Sequence, residues 1–330
     1  MKLAFSQVNA KGGVDGYKLQ ASVSDTASSP TQTAELTHSI PSSALAVIGP
    51  ILSTDAATAF PIAKSEHLPM ISPTVTDPTV VATGQPWTFT VNVPATATVG
   101  ASTKQFLALE HSTTAVAIID SQDTSSEQQG TLAVATLQKA HVRVLKTIDV
   151  TTGQPDYSAE VAVVKSLNPQ AVVVSALPSD AGSIVKTLRD DGVNVPILLE
   201  EVSWTQDFMN VAGSAANNVY VYVASWSGYQ SPIVSSFDKA FVKISGGIEP
   251  GPGGIKGYEA AKLLIQVLKS TGVLKSNESV AKERAAIAKA IASTKQFQGV
   301  ESVYTMAPGG YFNGHGFFLE LKNANVVQVK

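Results

Sequence analysis

The 330-residue sequence contains no cysteine. That absence excludes disulfides, thiolate nucleophiles and any zinc or iron–sulfur site built on cysteine, and it fits an exported protein kept free of stray thiols. Charge is scarce as well: only 15% of residues are Asp, Glu, Lys or Arg, and the formal net charge is −3. No basic face is therefore offered to nucleic acid or to an anionic membrane. Long apolar runs are missing too, since stretches such as 115–119 and 171–174 are far too short to span a bilayer. The five histidines (His38, His67, His111, His141 and His315) are scattered without His-x-x-x-His spacing, so no metal is expected. A Gly-x-Ser-x-Gly elbow, a phosphate loop ending in Gly-Lys-Ser/Thr, and Gly-x-Gly-x-x-Gly after a strand are all absent. Neither a catalytic residue nor a cofactor is expected, and the chain reads as no enzyme. Nothing at its start resembles a secretory leader, so export implies a leader already removed.

What is present is an alternation of short apolar runs with amphipathic helical patterns, the signature of parallel sheets covered on both faces. Helices are expected near 2–10, 31–40, 55–64, 95–109, 127–140, 158–166, 181–191, 232–244, 257–268 and 279–293. Strands are expected at 17–23, 44–48, 69–71, 115–119, 142–150, 171–175, 196–200 and 219–224, then near 304 and within 316–329. The Gly- and Pro-rich stretch 245–254 reads as a loop. Two α/β series with crossings near 91–95, 224–229 and after 311 predict two doubly wound lobes and a ligand cleft between them. The first would comprise 1–94 plus 226–312, the second 95–225 plus 313–330. Such a lobe usually opens with a strand, whereas residue 1 already lies in a helical pattern, so the expectation is a chain that starts late.

The most informative stretch is 44–80. An apolar run stops at Gly49-Pro50, and Ser53-Thr54 open a small-residue helix; a second strand then turns at Ser72-Pro73 into Thr74-Val75-Thr76-Asp77-Pro78. Two hydroxyl-rich turns thus end neighbouring strands on one sheet edge, where ligands of open α/β sheets collect. Free N–H groups at a helix start, beside Ser and Thr hydroxyls, suit a small anion such as a carboxylate. Ser53 and Thr54 equally suit helix capping, and the Thr74–Thr76 turn suits an ordinary local turn before Pro78. Glu200 and Glu201 adjoin on an extended segment and should point to opposite sides, one to the cleft and one to solvent. Trp204, three residues on, is placed to cover an apolar ligand side chain; Trp87 reads as structural.

Further motifs point the same way. Residues 8–19 (VNAKGGVDGYKL), then Asp25, Ser28, Pro30 and Ala34, the 47–50 and 69–78 patterns with Ser53, and Gly257-Tyr258-Glu259-Ala260-Ala261 follow in order along nearly the whole chain. In that order and spacing the chain resembles the solute-binding proteins of branched-chain amino acid ABC transporters, of type I periplasmic binding fold. The resemblance implies that Ser53 and the Thr74–Thr76 turn hold a ligand's α-carboxylate. It also implies that Glu201 pairs with the ammonium and that Tyr258 lines the side-chain pocket. Ser125 and Leu177 stand where the family has tyrosines, which leaves the carboxylate cradle intact and alters the ligand pocket. The implied function is capture of an apolar amino acid by hinge closure and delivery to a membrane-embedded ABC permease, in the periplasm or outside the cell, with or without a lipid anchor. The alternative is a ligand-sensing domain of the same fold that takes an aromatic or aliphatic organic acid.

Overall fold

The computed structural model describes residues 1–226, 228–322 and 325–329. In chain order it begins with helices α1 (Lys2–Ala10) and α2 (Pro30–His38), strand β1 (Val47–Ile48), α3 (Ser53–Ser65), β2 (Met70–Ser72), α4 (Pro78–Thr83) and β3 (Thr88–Thr90). Then come α5 (Ala95–Leu109), β4 (Ala115–Ser121), α6 (Thr124–Lys139), β5 (Arg143–Val150), α7 (Ser158–Leu167), β6 (Ala171–Ser175), α8 (Pro178–Asp190), β7 (Ile197–Leu199), α9 (Gln206–Ala212) and β8 (Val219–Val223). The remainder forms α10 (Pro232–Ser245), α11 (Pro252–Thr271), α12 (Val280–Ala292), β9 (Phe297–Gln298), β10 (Val303–Ala307), β11 (Tyr311–Asn313), β12 (Phe317–Lys322) and β13 (Asn325–Gln328). Ser227, Asn323, Ala324 and Lys330 lie outside the described residues, so the predicted crossing at 224–229 and the predicted strand region 316–329 are described only to either side of them. Among the described residues no helix is long and apolar enough to cross a membrane.

The chain divides into two units, Met1–Pro94 with Ser225–His315 and Ala95–Ala224 with Gly316–Lys330. Unit 1 carries a sheet of order β1-β2-β3-β11-β10-β9, in which β1, β2 and β3 run parallel. Its core packs Leu263, Leu264, Val267 and Leu268 of α11 with Ile71, Phe89, Phe297 and Phe312. Unit 2 carries the order β13-β12-β8-β7-β6-β4-β5, parallel from β8 to β5. Every residue of β6 is buried, as a strand covered on both faces requires. Phe106 of α5 and Leu137 of α6 close over Ile118, Val173 and Leu198. Both sheets are therefore mixed α/β layers dominated by parallel strands.

Some expectations fail for local reasons. No strand forms over 17–23: Tyr17 makes a lone bridge to Val14, and Leu19 is held by the Asn9 side chain instead of a neighbouring strand. The predicted loop 245–254 ends early, because Pro252 occupies the first turn of α11, where its missing N–H costs nothing. Short helices α4 and α9 were not anticipated. Each is started by a side-chain cap, Asp77 accepting from the Thr79 amide and Thr205 from the Asp207 amide.

Candidate functional site

In unit 1 the parallel neighbours β1 and β2 deliver their turns to one sheet edge, and Ser72 fastens the turns together. Its fully buried hydroxyl donates to the Pro50 carbonyl at 2.7 Å and accepts from the Val75 and Thr74 amides at 3.1 and 3.3 Å. The Thr74 hydroxyl donates to the Ile51 carbonyl. From the end of β3, Asn92 donates to the Thr74 carbonyl at 3.1 Å and Thr90 to the Val75 carbonyl at 2.8 Å. Two predicted donors are thus corrected: the Thr74 hydroxyl and the Val75 amide are already engaged by protein oxygens and shape the turn instead of facing a ligand. Ser72 and Asn92, which do the shaping, were missed. The position of Ser72 directly before Pro73 was the available signal, whereas Asn92 carried none.

The remaining predicted donors here are uncommitted. Leu52, not Ser53 or Thr54, is the residue before α3, and no side chain caps that helix. The capping reading is therefore set aside. Ser53, 8% exposed, and Thr54 occupy the first turn, whose leading amides have no upstream helical acceptor. Neither hydroxyl has a partner among the described residues, and the same holds for the hydroxyl and amide of Thr76. Asp55, in the same first turn, accepts the Thr26 hydroxyl at 2.8 Å. Tyr258 differs from expectation. Its hydroxyl donates to Gln7 of α1 at 2.7 Å and its ring packs 4.8 Å from Phe237 of α10, so it is used within the helical packing of unit 1.

In unit 2, Ser125, Leu177 and Glu201 follow the carboxyl ends of β4, β6 and β7, which are neighbours in the sheet. Ser125 sits in the first turn of α6 and not in a loop, because Asp123 caps that helix by accepting from the Ser126 amide at 3.1 Å. Leu177 precedes α8 and is 37% exposed, an apolar side chain left open. Glu201 opens a short 3₁₀ turn; its Oε1 accepts the Ala224 amide at 2.7 Å. Trp204 ends that turn with its ring 6.2 Å from Phe208. The expectation that one of the adjacent acids faces solvent is corrected. Glu200, which follows β7 with its amide on the Val174 carbonyl of β6, is 1% exposed, while Glu201 is half-buried.

Three buried carboxyls stand above the ordinary range. Burial, then Asp149, Glu127 and Asp123, pushes Asp120 up to about 7. Burial pushes Glu301 up to about 7, although the Ser225 hydroxyl and Trp226 amide both donate to it. Burial, then the charges of Glu201 and Asp120, holds Glu200 well above its usual value. Unfolded, such groups ionise at about pH 4. For Asp120 and Glu301, between there and about pH 7 the folded chain binds more protons than the unfolded one, so their contribution to stability falls as pH rises and levels off above about 7, and Glu200 acts in the same direction. The melting temperature is expected to be higher at about pH 5 than at about pH 8; a profile that rises across that interval would contradict the assignment.

The family described as periplasmic binding protein matches residues 1–325. Among curated proteins, the Leu/Ile/Val/Thr-binding protein of Salmonella typhimurium is 26% identical over 220 residues, which are 66% of this chain and 60% of that protein. The chain thus spans about 60% of the length of the curated relatives it matches. Of solved structures, a leucine binding protein LivK from Thermotoga maritima superposes with a TM-score of 0.86 at 20% identity, over 100% of this chain and 92% of that one. A solute binding protein of an ABC transporter from R. palustris, in complex with benzoate, gives 0.84 at 19% identity over 99% and 88%. At such identities the structural likeness is one of fold.

Proposed function

Because the chain belongs to the periplasmic binding protein family, whose members bind solutes and are not enzymes, we propose that it captures an apolar amino acid, leucine foremost, by closure of its two units. The ligand is then handed to an ABC permease outside the cytoplasm, in the periplasm or at the cell surface. One observation carries the reading: Ser53, Thr54 and Thr76 keep hydroxyls and leading amides without protein partners at the ends of adjacent parallel strands. A carboxylate is the small anion such donors suit. The curated relative binds Leu, Ile, Val and Thr, and the Thermotoga protein binds leucine, which supports the choice of side chain.

Closure follows from magnitudes. Micromolar affinity corresponds to about −8 kcal/mol, and a ligand of roughly nine heavy atoms supplies at best about −1.5 kcal/mol per atom. Most ligand atoms must therefore be engaged, which the donors of unit 1 alone do not achieve. Glu201 of unit 2 supplies the acid for the ammonium, and Leu177 and Trp204 supply apolar surface.

A second reading has an observation of its own. The Ala224 amide already donates to Glu201, which suits a ligand with a carboxylate and no amine, such as the aromatic acid in the R. palustris protein. A thermal-shift series of leucine, 4-methylpentanoate and benzoate separates the two. At 100 times its dissociation constant a ligand stabilises by about 2.7 kcal/mol, a rise of roughly 5–10 °C for units of this size. A response to leucine above the others is expected. A response to the acids alone would establish the second reading, and none at all would overturn both.

A further inference from the structure

The register of the unit 2 sheet sets an exposed acid beside a buried one. Asp149 of β5, Asp120 of β4 and Ser175 of β6 are Cα neighbours across adjacent parallel strands, so their side chains leave the sheet on one face. Ser175 is satisfied, its hydroxyl donating to the Ser126 carbonyl at 2.8 Å. Asp120 is not. It is 8% exposed, and its Oδ1 is buried with no hydrogen-bond partner among the described residues. Its Oδ2 lies against α6 at Gly130, where a Cβ would stand 2.2 Å from that oxygen; the missing side chain at 130 makes room for the carboxylate. A buried carboxylate without a partner is costly, and the like charge of the exposed Asp149 beside it adds repulsion.

Beside these acids β4, β5 and α6 line a cavity of about 510 Å³, whose wall includes Asp120, Asp149, Glu127, Thr147, Gln138 and Val134. None of Ser125, Leu177, Glu201 and Trp204 lines it. Every charged group of the wall is acidic, and the rise of Asp120 to about 7 has burial and three further acids as its causes. What the cavity lacks is a cation. Among the described residues no three His, Cys, Asp or Glu side chains gather closely enough to hold a metal ion. Val134 adds an apolar surface that a metal ion would not use and a hydrocarbon chain would.

We infer that the cavity between β4, β5 and α6 binds a small aliphatic amine in its ammonium form. Asp120 takes an ammonium group at the inner end, Val134 packs on the methylenes, and the exposed Asp149 and Glu127 attract charge at the mouth. This site is separate from the carboxylate donors of unit 1 and stands whether or not leucine is the transported ligand.

The test is calorimetric titration of 1,4-diaminobutane into the full chain at fixed ionic strength and about pH 8, where Asp120 is ionised and the amine protonated. Saturable one-to-one binding is expected, weakened on the order of tenfold or more by Asp120→Asn, as loss of a charge-assisted hydrogen bond implies. Glu127→Gln, at an exposed position that leaves the fold undisturbed, is expected to weaken it less. Leucine affinity should be unchanged in both variants. Absence of saturable heat, binding that both variants leave intact, or full displacement by magnesium chloride at equal ionic strength would overturn the inference.

Discussion

Lys256→Met is expected to destabilise unit 1 by about 3–5 kcal/mol, the cost of removing one partner from a buried ion pair. Lys256 is 1% exposed and Glu259 fully buried; Nζ stands 3.0 Å from Glu259 Oε2, 3.1 Å from the Tyr304 hydroxyl and 4.5 Å above the Tyr304 ring. Burial alone would lower the Lys256 pKa, but Glu259 and Tyr304 more than offset it, so the ammonium is held above its ordinary value. On the other side, Glu259 Oε1 accepts the Val300 amide at 2.7 Å. Without the ammonium, Glu259 becomes a buried charge with a single amide for company. The double variant Lys256→Met/Glu259→Gln should recover most of the loss, since the glutamine oxygen keeps the Val300 bond and no charge remains. Urea unfolding followed by Trp87 and Trp226, both in unit 1, measures the effect. A single-variant loss under about 1 kcal/mol would mean that the pair is not closed to water.

Glu201→Gln is the second large effect. Under the proposed function its carboxylate meets the ligand's ammonium, a charge-assisted contact worth about 1.5–3 kcal/mol, or roughly 10- to 150-fold in affinity. The glutamine oxygen can still accept the Ala224 amide, so the fold should stand and the loss should appear in binding alone. Leucine affinity is expected to fall by that factor while 4-methylpentanoate, which has no amine, is unaffected. Equal affinity of the variant and the parent for leucine would remove Glu201 from the site.

Much of this architecture was legible because it is local. Residues 95–109 and 171–175 show their helix and strand patterns within a single window, and those elements form on the predicted bounds. What failed was non-local. The 17–23 segment has strand-forming residues, but a strand needs a neighbour that the sequence does not name, and here Leu19 finds the Asn9 side chain. At the site, sequence indicated which turns carry hydroxyls, not which hydroxyls are already taken. Thr74 and Thr76 look alike in sequence, yet the first is bound to Ile51 and the second has no partner among the described residues. The crowding of Asp120 beside Asp149 was likewise hidden, because it arises from the register of residues 29 apart in the chain, a distance at which local pattern says nothing.

The most direct measurement is a crystal structure of the chain grown with leucine. The leucine carboxylate is expected within about 2.7–3.1 Å of Ser53 Oγ and of the Thr76 amide or hydroxyl, with the Thr74 hydroxyl still on the Ile51 carbonyl. Leucine bound elsewhere, with Ser53 and Thr76 touching only water, would contradict the assignment of these donors to a carboxylate.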